Sequence, residues 1–356
     1  MKHCLLFILA IFLSVEMNAS DESLPSKTYV VQDVRGYNSW PMIQALGGKL
    51  VCAYSRGNAH DVWEDARAVY ARTSIDGGKT WSEETIVANT LGYGECAIGK
   101  GLDANGNMFL WVRRMGKQSC HVLYKTTDGV LFDSIASLRP DPMPIQITDV
   151  FSVPKVGLMA LWFAGSYKEG YDHSWGTLTS SDNGHSWTQH VVEKGLSYDE
   201  WPTEPSAVYL GKGKIVAVAR TESGTSNLER AQFQLISKDY GKTWERLKTN
   251  INDVFCSTPS LVYDKKSGLI SVYYYYRGKG LLLRRIAKPS QVIKNPKAWS
   301  VSQLIAKGST STFDAGNVNV TSSDGKHYIS FYSGCYPNTS ILVTVTNAPL
   351  AHERIH

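Results

Sequence analysis

The chain alternates short apolar runs with glycine-containing turns, and one unit of this pattern recurs along its length. The unit is an apolar run, a turn and a second apolar run that ends in a polar or basic residue. Short apolar runs bounded by turn residues predict β-strands joined as hairpins. Six copies are present, at residues 40–56, 95–113, 149–166, 204–220, 258–277 and 314–333.

An octet with a fixed Asp, Gly and Trp follows strand-like runs at three places, residues 74–81, 180–187 and 237–244. In such a turn the Asp side chain accepts hydrogen bonds from backbone amides, the Gly adopts a positive φ and the Trp covers the hairpin. The octets therefore indicate structural hairpin turns and not catalytic residues.

The spacing of the octets predicts the fold. Their residues Asp76, Asp182 and Asp239, with a degenerate copy at Asp128, are separated by 52, 54 and 57 residues. Repeats of roughly 50 residues with about four short strands each are typical of propeller blades. Together with the six strand pairs, this spacing predicts an all-β fold, a six-bladed β-propeller that residues 20–356 form as one domain.

Residues 1–19 have the features of a signal peptide: a basic start, an apolar core over residues 4–13 and Ala19 at a cleavage site. The apolar core is too short to span a bilayer. We therefore expect the mature protein to be secreted or periplasmic, without stable membrane insertion.

Composition narrows the range of ligands. The chain is 43% hydrophobic and 19% charged, which suits a large buried core. Its net charge of +5 is not gathered into runs, so no nucleic-acid partner is predicted. The five cysteines that follow the signal peptide have no regular spacing, so neither a disulfide framework nor a metal site is predicted, and no cofactor is implied.

The inner strands of a propeller line its axis, so residues at equivalent strand ends converge on one mouth. Loops expected at this mouth also carry His60, His173 and the candidate stacking residues Trp40, Trp63 and Trp201. The charged residues at the strand ends are Glu95, Asp149, Glu204, Asp314, Arg56, Arg113, Arg220 and Arg277.

The octet resembles the Asp-box of the sialidase superfamily, and the resemblance covers essentially the whole mature chain. In sialidases a Glu opens an inner strand, an Arg closes it and the next blade supplies another Arg. The resemblance implies that Glu204 is a catalytic carboxylate and that Arg220 and Arg277 hold an anion. It further implies, from its position in the loop after the first repeat, that Asp61 is the acid/base.

The first repeat departs from the family pattern. Sialidases carry an Arg just before a Pro in this repeat, but Ser39 and Trp40 stand there in this chain. A guanidinium can reach a carboxylate from more than one backbone position, so Arg35 and Arg56 are candidates to compensate.

The sixth repeat departs as well, because the nucleophilic Tyr that sialidases use there is absent. The matching segment contains Phe313 and Asp314, so Asp314 is a candidate catalytic carboxylate, and Tyr336 and Tyr276 are candidate substitutes for the Tyr. A carboxylate there would disfavour an anionic sugar, whereas two arginines would favour one. The sequence leaves this conflict open.

The expected function is that of an exported exo-acting glycoside hydrolase that removes a terminal, acidic sugar such as sialic acid from a glycan. Asp61 is expected to donate a proton to the leaving oxygen, with Glu204 as the partner carboxylate. The alternatives are a glycosidase or lyase that acts on another sugar through Asp314, and a carbohydrate-binding propeller without activity. Candidate substrate contacts are Arg35, Trp40, Arg56, His60, Glu95, Arg220 and Arg277.

Overall fold

The computed structural model describes residues 24–167, 172–222 and 230–351. The signal peptide predicted over residues 1–19 lies outside the described residues. The described part is all-β, apart from a short 3-10 helix (Tyr198–Glu200) and one helix, α1 (Pro289–Lys294). Neither of these helices has the length and apolar character needed to cross a bilayer.

The strands are short and follow one another closely in the chain. The first half contains β1 (Ser26–Gln32), β2 (Tyr37–Leu46), β3 (Lys49–Gly57), β4 (Ala68–Ser74), β5 (Thr85–Ala88), β6 (Tyr93–Leu102), β7 (Met108–Gly116), β8 (Cys120–Thr126), β9 (Asp133–Leu138), β10 (Gln146–Ile147), β11 (Phe151–Val153), β12 (Gly157–Ala164), β13 (His173–Ser180) and β14 (Thr188–Leu196). The second half contains β15 (Pro202–Gly211), β16 (Lys214–Thr221), β17 (Phe233–Ser237), β18 (Glu245–Lys248), β19 (Ser260–Asp264), β20 (Leu269–Tyr276), β21 (Leu281–Ala287), β22 (Gln303–Lys307), β23 (Ala315–Ser323), β24 (Lys326–Cys335) and β25 (Asn338–Asn347).

These strands form antiparallel sheets in which sequence neighbours pair. Three sheets have four strands each, in the orders β6-β7-β8-β9, β15-β16-β17-β18 and β19-β20-β21-β22. A five-stranded sheet has the order β10-β12-β13-β14, with β11 also paired to β12. An eight-stranded sheet has the order β23-β24-β25-β2-β3-β4-β5, with β1 paired to β25.

The sheets are arranged as a propeller-like ring. The first strands of successive groups contact one another, from β2 to β6, β10 and β11, then to β15, β19 and β23, and from β23 back to β2. The prediction of six separate blades is met only in part, because hydrogen bonding defines five sheets. The eight-stranded sheet arises because β2 meets β25 at a single parallel pair, Tyr37 and Thr339, which joins two four-stranded groups.

Apolar side chains fill the spaces between neighbouring groups of strands. One cluster, for example, packs Val51 of β3 against Leu110 of β7, and another packs Trp162 of β12 against Trp111 of β7. Because each group buries both faces, its strands are apolar on successive positions, as in the run Val216–Ala219 of β16. The apolar core therefore lies between neighbouring groups of strands.

The octets form the predicted turns. In the third copy Asp239 Oδ1 accepts hydrogen bonds from the amides of Lys242 at 3.1 Å and Thr243 at 2.9 Å. Gly241 has a φ of 86°, and Trp244 Nε1 donates to the Gly241 carbonyl at 3.0 Å. The other copies and the degenerate turn at Asp128 repeat the carboxylate-to-amide bonds.

Candidate functional site

Irregular inner strands shape one end of the axis. The pairing of β2 with β3 skips between Ser39 and Met42, and that of β15 with β16 skips between Thr203 and Ser206. Each skip contains a proline, Pro41 or Pro205, which has no N–H for the ladder and is tolerated at a bulge. Bulges re-aim side chains and are frequent beside active sites.

The residues at these bulges have an unusual backbone. Trp40 has a φ of 51°, Glu204 of 49° and Asn317, at the bulge of β23, of 45°. Non-glycine residues rarely adopt a positive φ, and such strain concentrates at functional sites. All three side chains line the same cavity, so the strained positions of three repeats meet at one place.

The cavity has a volume of about 450 Å³, within the range of small-molecule sites. Among its described lining residues, Arg113 is the one arginine or lysine and Glu204 is the one carboxylate side chain. Its walls are otherwise aromatic, aliphatic or neutral polar, a combination suited to a sugar ring with its hydroxyl groups. Notable members of the lining are Trp40, Trp63, Phe163, Tyr167, His60, Gln146 and Asn317. A narrower space of about 20 Å³ continues along the axis past Glu204 and Asn317 to Asp149 and Thr258.

Glu204 presents one carboxylate oxygen to the cavity. Its Oε2 accepts hydrogen bonds from Arg220 Nη1 at 3.2 Å and from Thr258 Oγ1 at 2.5 Å. Its Oε1 accepts no bond from a described residue and is not enclosed by protein. The two bonds fix the carboxylate while they leave one oxygen able to interact with a ligand.

The two arginines expected to hold an anion do not line the cavity. Arg220 is paired with Glu204 and with Glu222, whose Oε2 lies 2.8 Å from Arg220 Nη2. Burial alone would lower the pKa of Arg220, but Glu222 and Glu204 raise it well above its ordinary value. Arg277 is buried and donates to the Ala315 carbonyl at 2.6 Å and to Asn317 Oδ1 at 3.3 Å. Both guanidinium groups therefore hold parts of the wall in place.

The structure places the two Asp candidates differently from Glu204. Asp61 is exposed beside the cavity residues His60 and Val62, and its Oδ1 accepts the Trp63 amide at 2.8 Å. Asp314 is buried, and both of its oxygens are engaged, Oδ1 by the Tyr37 hydroxyl at 2.8 Å and Oδ2 by the Tyr336 amide at 2.9 Å. Neither Asp is among the lining residues of the cavity.

Asp314 instead acts on the cavity through Tyr37 and His60. The Tyr37 hydroxyl donates its one proton to Asp314, so its 2.6 Å contact with His60 Nδ1 requires His60 to donate an Nδ1–H. Nε2 of His60 then carries a lone pair, and it has no partner among the described residues. Burial, followed by Arg277 and Arg67, lowers the pKa of His60 to about 4, against the opposing effect of Asp314 and Glu204. His60 is thus a neutral hydrogen-bond acceptor in the cavity wall.

Arg67 is a site residue that the sequence reasoning missed. Its guanidinium carbon lies 4.7 Å from the centre of the Trp40 ring, and its Nε donates to the Asp61 carbonyl at 2.8 Å. It is fully buried, behind the place where the sialidase resemblance expects an Arg and the chain has Trp40. The local sequence gave no signal for this contact, which depends on the path of the loop between β3 and β4.

Several predicted substrate contacts lie elsewhere. Arg35 is exposed in the link between β1 and β2 and does not line the cavity. Arg56 pairs with Glu84 at 2.9 Å, and the buried Glu95 pairs with Arg114 at 2.7 Å, so both have partners outside the cavity lining.

The remaining aromatic candidates are also away from the cavity. Trp201 is buried and stacks on His173 at 4.3 Å, so it packs between strands and does not reach a ligand. Tyr336 is exposed and Tyr276 contacts Lys279, and neither is a lining residue. Within the described ranges there is no group of His, Cys, Asp and Glu side chains that could hold a metal ion, and the five cysteines are free.

Solved structures resemble this chain over nearly its whole length. A protein of unknown function from Dyadobacter fermentans superposes with a TM-score of 0.73 and 15% identity, over 91% of this chain and 98% of the other. Trypanosoma rangeli sialidase, in complex with the inhibitor DANA, gives a TM-score of 0.63 at 13% identity, over 89% of this chain and 55% of the sialidase. The endosialidase of phage phi92 gives 0.64 at 11% identity, over 94% and 70%.

The fold resembles that of sialidases. No protein-family model and no curated protein sequence matches the chain. At 11 to 15% identity the resemblance concerns the backbone arrangement alone, and this chain spans about half the length of the trypanosomal sialidase. The chemistry of the site therefore has to be argued from its own residues.

Proposed function

We propose that the protein is an exported, exo-acting glycoside hydrolase that removes a terminal acidic sugar, such as sialic acid, from a glycan. The accessible Oε1 of Glu204 in an aromatic-walled cavity carries this proposal. In this view the eight-stranded sheet counts as two blades, so that the ring is a six-bladed β-propeller with the cavity at its mouth. Export rests on the signal peptide that the sequence predicts at residues 1–19.

The proposed chemistry uses a carboxylate beneath the sugar and a proton donor at the rim. Glu204, fixed by Arg220 and Thr258, stabilises the positive charge that develops at the anomeric carbon. Asp61 is exposed at the rim, where a leaving group would depart towards solvent, and it donates a proton to the leaving oxygen as the glycosidic bond breaks. Water then adds to the anomeric carbon and gives a proton back to Asp61. Trp40 and Trp63 form an aromatic wall for the sugar, and His60 Nε2 accepts a hydrogen bond from one of its hydroxyl groups.

Hydrolysis of a panel of fluorogenic glycosides tests the proposal. The panel contains a sialoside, a glucuronide and neutral glycosides, and it is applied to the mature chain, to Glu204→Gln and to Glu245→Gln. Glu245 is an exposed residue paired with Lys238 outside the cavity, so its variant controls for the loss of one carboxylate. We expect the acidic glycosides to be cleaved, with kcat/KM lowered about 100- to 10,000-fold by Glu204→Gln only. Equal rates in the two variants would contradict the assignment.

A carbohydrate-binding propeller is the second candidate, and the state of Asp314 favours it. Because Tyr37 and Tyr336 occupy both of its oxygens, Asp314 is not available as a nucleophile in place of the missing Tyr. A mature chain that binds sugars but cleaves none of the panel would support this candidate over the hydrolase. The same engagement argues against a glycosidase or lyase that works through Asp314.

A further inference from the structure

Two consecutive arginines on β7 differ in their partners. Arg114 Nε lies 2.7 Å from Glu95 Oε1, and its Nη2 donates to the Tyr124 hydroxyl at 3.2 Å. Arg113 points to the other face of the strand, as alternation requires, and lines the cavity. It has no hydrogen bond and no ion pair with any described residue, and its Nε is enclosed by protein without a partner.

An unpaired guanidinium at such a position is costly, because burial removes water from a charge that nothing else compensates. Burial lowers the pKa of Arg113 for the same reason. No ring stacks on Arg113 within the described residues, although rings stack on Arg67 and Arg114. Packing alone therefore does not explain why an arginine stands here.

The other arginines near the mouth do not offer a charged group to an anion in the cavity. Arg220 is neutralised by Glu204 and Glu222. Arg277 makes no ion pair with a described residue, but it donates to the Ala315 carbonyl and to Asn317 Oδ1 and does not line the cavity. Glu204 itself repels an anion that approaches its free oxygen. Arg113 is consequently the uncompensated cation among the described lining residues of the cavity.

We propose that Arg113 binds the negatively charged substituent of the sugar, a carboxylate or a sulfate ester. A guanidinium offers five N–H donors in a planar fork that matches such a group, and binding inside a cavity strengthens the contact. This inference rests on the proposed function in assuming that the cavity takes a sugar. The sequence pattern assigned the binding of an anion to Arg220 and Arg277. The present proposal assigns it to Arg113, which belongs to a different repeat.

Calorimetric titration with free monosaccharides tests the inference without any need for turnover. The probes are glucose, glucuronate and glucose 6-sulfate, which differ only at one carbon, and N-acetylneuraminate with its methyl ester. The proteins are the mature chain, Arg113→Gln and, as a matched control, Arg139→Gln, which removes an exposed arginine that contacts Gln118 outside the cavity.

We expect at least one acidic sugar to bind more tightly than its neutral counterpart, and Arg113→Gln to weaken that binding about 10- to 100-fold. Glucose binding and the Arg139→Gln variant should show no such change. A preference for glucuronate or N-acetylneuraminate identifies a carboxylate, and a preference for glucose 6-sulfate identifies a sulfate ester. Equal acid affinity in Arg113→Gln and Arg139→Gln, or acids that bind no better than neutral sugars, would overturn the proposal.

Thermal unfolding separates binding from a structural role. Because Arg113 has no partner to lose, Arg113→Gln should keep or raise the melting temperature, whereas a variant that loses structure should melt earlier. Acid binding that depends on Arg113 but comes without hydrolysis would contradict the hydrolase alone. Hydrolysis that is unaffected by Arg113→Gln would contradict the role of Arg113 alone.

Discussion

The octet turns and the cavity bulges occur in the same repeats but have diverged to different degrees. At the turns, Asp76, Asp182 and Asp239 all accept hydrogen bonds from the amides that follow them. At the bulges, corresponding inner strands carry Trp40, Glu204 and Asn317. These three residues share a positive φ, but their side chains are an aromatic ring, a carboxylate and an amide. The repeated backbone is thus retained in both regions, whereas the side chains are uniform only where they hold the turn.

This contrast separates residues that stabilise the ring from residues that act on a ligand. A turn carboxylate is satisfied by its own hairpin and offers nothing to a substrate. The surrounding sheet holds a bulge residue in a strained backbone conformation. The side chain at that position can differ from one repeat to the next. Changes at the mouth should therefore alter activity at little cost to stability, and changes at the turns should do the reverse.

The largest effect among the residues behind the cavity wall is expected for Tyr37→Phe. Removing the hydroxyl frees His60 Nδ1, so both tautomers become populated and the lone pair of Nε2 is no longer fixed toward the ligand. We expect kcat/KM on a cleaved glycoside to fall about 10-fold, as for the loss of one neutral hydrogen bond. Tyr54→Phe is the matched control, since the Tyr54 hydroxyl also donates to a carboxylate, that of Glu84, outside the cavity.

Nitrogen-15 NMR of the His60 ring gives a readout that does not depend on activity. The wild-type ring should be neutral with its proton on Nδ1 at pH 7 and should become protonated only near its pKa of about 4. Activity that relies on the neutral ring should accordingly be lost as the pH falls through this value. A ring that carries its proton on Nε2 in the wild type would refute the proposed network.

An intermediate effect, on stability, is expected at Asp103 in the turn between β6 and β7. Burial alone would raise its pKa, but bonds from Lys125, Asn107 and Asn105 lower it to about 2. A depressed pKa stabilises the fold fully above the ordinary value of about 3.8, and this contribution is lost as the pH falls towards 2. Asp103→Asn should lower the unfolding free energy at pH 7 by about 1–3 kcal/mol.

Denaturant unfolding at several pH values checks this expectation. The difference between wild type and Asp103→Asn should be constant above about pH 4 and should shrink below it. A difference that persists unchanged at pH 2 would show that the charge of Asp103 is not the cause. Asp133→Asn, at an exposed position of β9, serves as the control for removal of a carboxylate.

The smallest effect is expected at the third octet turn. Asp239→Ala removes the acceptor of the Lys242 and Thr243 amides, which water can replace in part because the turn is exposed. The melting temperature should fall slightly while kcat/KM stays at the wild-type value. A loss of activity without a loss of stability would break the division between turns and mouth.

The parts of the molecule that local patterns determine were accessible from the sequence. The octets identify the hairpins, and the Glu204-Pro205 pair at a strand start points to a residue that does line the cavity. The count of separate sheets was not accessible, because one pair of residues, Tyr37 and Thr339, merges two groups of strands.

Whether each charged residue has a partner could not be predicted from the sequence for a related reason. Neighbours on β7, Arg113 and Arg114, look equivalent in the sequence, and only the fold brings Glu95 to one of them. The link from Tyr37 to Asp314 joins residues far apart in the chain, so no local pattern indicates it. Such long-range pairing decides which polar residues are satisfied and which remain to meet a ligand.

The pairing of β1 with β25 has a consequence for the order in which the molecule assembles during synthesis. Ser26 lies opposite Thr346, so β1, the first described strand, has to wait for β25, the last described strand, before it finds its neighbour. The intermediate groups can form as their own hairpins emerge, but the ring stays open until the final strand is available. Closure thus requires β25, and a chain that stalls before β25 leaves an unpaired strand edge exposed to aggregation.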